Sequence, residues 1–91
     1  MIDRVIEAVA AEEGPTEWWW LSFCDPTLPT GSQFLGVAVV QGRGMASAMV
    51  AATFLGINPG GEITGIEIPP EHVPDPVFRE RLLSRTEAES L

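Results

Sequence analysis

The sequence predicts an α+β two-layer domain: a small, mostly antiparallel three-stranded sheet packed on a central helix. Three observations carry this reading. Two apolar runs rich in aromatic and β-branched residues, Glu17–Cys24 and residues 33–41, flank a loop containing two prolines and a glycine, which makes an antiparallel hairpin the default pairing. Residues 45–55 are rich in alanine and methionine, the composition of a helix. Glu62–Ile68 alternates in the manner of a strand. With a helix expected at each end, the order is α-β-β-α-β-α within a single domain, 1–91.

Each element has its own signals. Ile2, Val5, Ile6 and Val9 fall at helical spacing, opposite Asp3, Arg4 and Glu7, so residues 1–13 read as an amphipathic helix stopped by Gly14-Pro15. Residues 17–68 form the ββαβ core. Within it, residues 42–44 break the second strand, and Gly56 occupies the position expected just past a helix end. Residues 58–61 make a turn. The third strand can pair with either hairpin strand, parallel or antiparallel. Residues 69–74 are a stiff Pro-rich connector, after which Asp75 as N-cap and Pro76 at the first helical position predict a terminal helix running to about residue 88. A three-stranded sheet leaves two open edges, so a homodimer or higher homo-oligomer is expected, in which the sheet or the spare apolar face is completed by symmetry.

Composition narrows the function. Hydrophobic residues make up 45% of the chain, which argues for a folded core, and no run approaches the ~20 apolar residues of a membrane span. Charges within the first residues do not fit a signal peptide, so a cytoplasmic location is expected. A single cysteine excludes an internal disulfide and a Cys-rich zinc site. Thirteen acidic against five basic residues, a net charge of −8, disfavour long nucleic acid as a partner. A small anion needs only a few local N–H donors and an arginine, and remains compatible with that charge.

Several residues are candidates for binding one. In Trp18-Trp19-Trp20 the outer two indoles share a face and Trp19 takes the other; one side can pack on the helix and the other lie in an oligomer interface, or Trp18 or Trp20 can stack a nucleobase. Arg43 and Gly44 lie at the expected start of the central helix, where free amides favour an anion. Asn58, Gly60 and Gly61 form a turn able to present backbone amides, with Glu62 beside it. Gln33, with Ser32 and Thr30, offers uncharged groups for reading a ligand's edge. Catalysis finds less support. Cys24 would need His72 as a base, and Glu62 and Glu67 are five apart, facing opposite sides of a strand. No metal site and no cofactor are expected.

The string Trp20-Leu21-Ser22-Phe23-Cys24-Asp25-Pro26, then Gly31-x-Gln33-Phe34-Leu35-Gly36, then Gly56-Ile57-Asn58-Pro59-Gly60-Gly61-Glu62, resembles a set of small proteins of unassigned activity in bacteria and their phages. The likeness covers residues 18–68. It implies a phage or prophage source, with the host cytoplasm as the place of action, and brings no catalytic residue with it. Together these features lead to a non-enzymatic binder of a small anionic, nucleotide-like molecule, in a phage setting a sponge for a host immune signal. The alternative is a protein-interaction module, for a phage or host partner, with no small-molecule ligand. An enzyme using Cys24 or the carboxylates is a third reading.

Overall fold

Strand β1 (Glu17–Cys24) lies inside the sheet, and its side chains have to be covered on both faces. The computed structural model describes residues 2–91, with side chains from Glu7 onward. The order is α1 (Ile2–Ala11), β1, β2 (Phe34–Gly42), α2 (Met45–Phe54), β3 (Glu62–Ile68), two 3-10 turns (Pro70–His72 and Pro76–Phe78), β4 (Leu82–Leu83) and α3 (Arg85–Glu89). The fold is α+β, but the sheet has four strands rather than the three expected. They run β3-β1-β2-β4, antiparallel at every pairing. The pairing of β3, open in the sequence, is with β1. Of the expected N-terminal apolar stripe, Ile2, Val5 and Ile6 lie outside the residues whose side chains are described.

One face of the sheet packs on α2. Leu21 and Phe23 of β1, Ala38 and Val40 of β2, and Ala48 and Ala52 of α2 are fully buried, with Trp19 and Met45 against them. Alanine at the two helix positions nearest the sheet lets the helix approach closely. Each buried large side chain contributes roughly 1.5–3 kcal/mol.

The opposite face is covered by the C-terminal segment, which overturns the expected terminal helix. Asp75 and Pro76 do open a helical turn, but it is 3-10 and ends after Phe78. Arg79 is already extended, and Glu80 adopts a φ of 60°, a conformation that reverses the chain. The Glu80 amide donates to the Val39 carbonyl at 2.9 Å, and Leu82 and Leu83 then pair with Ala38 and Val37. An extended path carries Val73, Phe78 and Leu83 across Val37, Val39 and Ile68, whereas one continuous helix would reach only part of that face. Gly36 allows the new strand in, because a Cβ there would stand 2.6 Å from the Leu82 side chain. Helix α3 starts afresh at a capping box, Ser84 with Glu87.

Helix α2 begins at Gly44, which has no capping side chain. Its free amides are satisfied from far away in sequence. The Glu12 carboxylate accepts from the Ala46 amide at 2.7 Å, from the Ser47 amide at 2.9 Å and from the Ser47 hydroxyl. Burial raises the Glu12 pKa, but these hydrogen bonds outweigh it and hold the carboxyl below the usual glutamate range. A lowered folded-state pKa stabilises the fold above the ordinary glutamate value, and that contribution disappears as the pH falls through the folded value. Glu12→Gln is therefore expected to lose about 1 kcal/mol in urea unfolding near neutral pH. In strong acid the variant and the parent chain should unfold alike.

Candidate functional site

The sheet separates the residues expected to bind an anion. Arg43 and Gly44 follow the Glu17↔Gly42 pair at one end of β1, while Glu62 pairs with Cys24 at the other. Seven strand steps lie between, roughly 23 Å. Gln33 also lies at the Cys24 end, where its carbonyl accepts from the Asp25 amide. These groups therefore lie at two ends of the sheet rather than around one spot.

Most of their donors already serve the fold. The α2 amides near Gly44 are taken by Glu12, whose carboxylate stands where a bound phosphate would sit; Arg43 projects into solvent. The Gln33 side-chain amide donates to the carbonyls of Leu28 at 3.0 Å and Pro26 at 3.4 Å, closing the loop between β1 and β2. In the same loop Asp25 accepts from the Thr27 hydroxyl and amide, which hold its carboxyl below the ordinary aspartate value. Asn58 accepts from the Gly60 amide at 2.9 Å and donates to the Thr53 hydroxyl at 3.1 Å, so the turn's amide is engaged internally. Gly61, at a φ of 76°, is required for packing: a Cβ there would stand 2.3 Å from the Cys24 carbonyl oxygen. Both glycines of this turn serve its geometry.

The tryptophans divide as strand alternation requires. Trp19 faces α2, and its indole N–H donates to the Gly42 carbonyl at 3.1 Å. Trp18 and Trp20 share the opposite face with Val37 and Val39. Trp18 is covered from within the chain: the Arg79 guanidinium lies 4.9 Å from its ring centre, held there by a 2.8 Å bond from Nε to the Pro74 carbonyl.

Trp20 is different. It borders a cavity of about 370 Å³ between the sheet and α3, walled also by Ser22, Phe34, Val37, Arg85, Ala88 and Glu89. The Arg85 guanidinium lies 5.2 Å from the Phe34 ring centre and makes no ion pair among the described residues. By contrast, Arg81 is bound to Glu87 at 2.5 Å, a contact that lowers the Glu87 pKa and raises that of Arg81. The cavity thus combines an indole, a phenyl ring, a hydroxyl and an uncommitted guanidinium. Of the sequence candidates it includes only Trp20. Phe34 and Arg85 were missed because they are 51 positions apart and meet only where α3 folds back over β2.

The structure does not join the residues considered for catalysis. Cys24 and His72 make no hydrogen bond to each other, and His72 is exposed. Glu62 and Glu67 lie on opposite faces of β3. No cluster of metal-ligating side chains occurs among the described residues, and no described helix is long and apolar enough to cross a membrane.

The Arg79–Trp18 contact has a measurable weight. Arg79→Ala removes both the cation–π contact and the Pro74 bond, and is expected to cost about 1–2 kcal/mol in urea unfolding with a red shift in tryptophan emission. Arg79→Lys should recover only part, since an ammonium cannot both stack and hold the Pro74 carbonyl in the same geometry. No protein-family profile matches the chain, and no curated protein or solved structure shows significant similarity to it.

Proposed function

We propose that the chain is a non-enzymatic binder of a small anionic, nucleotide-like molecule, held in the cavity between Trp20, Phe34 and Arg85. The observation that carries this reading is the pairing of two aromatic rings with a guanidinium that has no carboxylate partner among the described residues. A volume of about 370 Å³ falls in the range of small-molecule sites and suits a mononucleotide-sized group. An aromatic ring stacking a base contributes roughly 1–3 kcal/mol. The planar fork of Arg85 matches a phosphate, offering two parallel N–H donors. Ser22 and Glu89 supply a hydroxyl and a carboxylate for ribose hydroxyls or an exocyclic amine. The net charge of −8 keeps a long polyanion away, while one arginine at the cavity wall provides for a single small one.

On this reading the bound molecule is held and released unchanged. In a phage setting, such binding removes a host nucleotide signal by mass action, and sequestration requires no chemistry.

Calorimetry against adenine and guanine mononucleotides, cyclic dinucleotides and ADP-ribose tests the reading. At least one is expected to bind with quenching of tryptophan emission and to be recovered intact after denaturation. Arg85→Ala, at an exposed position, should weaken that binding about 10-fold or more while leaving the unfolding curve nearly unchanged. Absence of heat and of quenching across the whole panel, or binding indifferent to Arg85→Ala, would refute it.

A further inference from the structure

Helix α2 touches α1 on its side away from the sheet, yet its C-terminal end exposes apolar side chains. Its inner side, Ala48 and Ala52, is buried, yet Phe54 is 87% exposed and Leu55 46% exposed. A helix that is hydrophobic all round belongs inside a structure rather than at its surface. No charged residue occurs from position 44 to 61, in a chain whose net charge is −8.

The shape of this surface indicates what covers it. Phe54 stands as a ridge between two grooves. On one side is a groove of about 260 Å³, lined by Met49, Val50, Thr53 and Asn58 together with the Phe54 ring, and without a charged residue. On the other is a groove of about 290 Å³ reaching to Gln41 and Glu80. A projecting ring beside an uncharged groove is self-complementary, because a two-fold axis brings each ring to the other copy's groove.

The molecule is a slab of 36 × 33 × 19 Å, thin along one axis. Two copies of so acidic a chain repel over most of their surfaces, so an uncharged patch is where they can meet.

We infer that the chain forms a two-fold symmetric homodimer through the outer face of α2, each Phe54 ring seating in the second copy's Met49–Val50–Thr53–Asn58 groove. The dimer is built on the face of the sheet opposite the Trp20 cavity, so the two sites are separable. Its contacts also differ from pairing at the open edge of β3, where Ile66 is 61% exposed.

Sedimentation equilibrium and native mass spectrometry test the inference. The unmodified chain is expected at twice its 9.8 kDa mass in the micromolar range. Phe54→Glu, at a position with little contact inside the monomer, should raise the dissociation constant at least about 30-fold with an unchanged far-ultraviolet circular dichroism spectrum. Ile66→Glu should leave the dimer intact. A chain that stays monomeric at about 100 µM, a dimer that survives Phe54→Glu, or one dissociated by Ile66→Glu overturns the proposal. Calorimetry on Phe54→Glu separates this inference from the proposed nucleotide site, since ligand binding there should persist in the monomer.

Discussion

Strand β1 carries bulky apolar side chains on both of its faces. Trp19, Leu21 and Phe23 point to one face and Trp18 and Trp20 to the other, so an interior strand with bulky side chains on both sides requires a layer above and a layer below. Helix α2 supplies the first. The second has to come from the remaining chain, and residues 69–91 supply it in a form suited to a flat surface: turns, a two-residue strand and a short helix. The fourth strand follows from this need for cover. So does the Trp20 cavity, which lies where α3 spans the sheet without filling the space beneath it.

A second theme is the internal use of polar groups that resemble binding groups. Glu12 reaches the start of α2 from the end of α1 and occupies the amides that a phosphate would use. Arg79 stacks on Trp18, Gln33 closes a loop, and Asn58 holds the turn after α2. Buried or half-buried donors in a small domain are claimed by whatever acceptor lies nearest, and in a chain of this size that acceptor is usually the chain itself. Arg85 stands apart because its guanidinium lies over a phenyl ring and makes no ion pair among the described residues.

Local signals were readable in proportion to how local their causes are. The strands Glu17–Cys24 and Glu62–Ile68 and the helix beginning at Met45 follow from composition, alternation and flanking glycines, and the structure shows them at those positions. Asp75-Pro76 correctly marked the start of a helical turn, but nothing local marked how soon it would end. The Ser84–Glu87 capping box was available in the sequence as a Ser three residues before a Glu, and would have placed a helix start there. Leu82-Leu83 carries no strand signature, since two residues have no period, and its pairing comes entirely from the uncovered edge of β2.

The amino-acid order by itself determined the α+β class, the hairpin, the central helix and the division of the tryptophans between two faces, because alternation and helical periodicity are properties of neighbours in the chain. Only the tertiary structure decided which groups meet. It set the candidate phosphate-binding residues at opposite ends of a strand, closed the α2 terminus with Glu12, and brought Arg85 to Phe34 and Trp20. Such encounters depend on how layers stack and where the chain returns, and the competition among distant partners for the same amide or ring has no counterpart in local spacing.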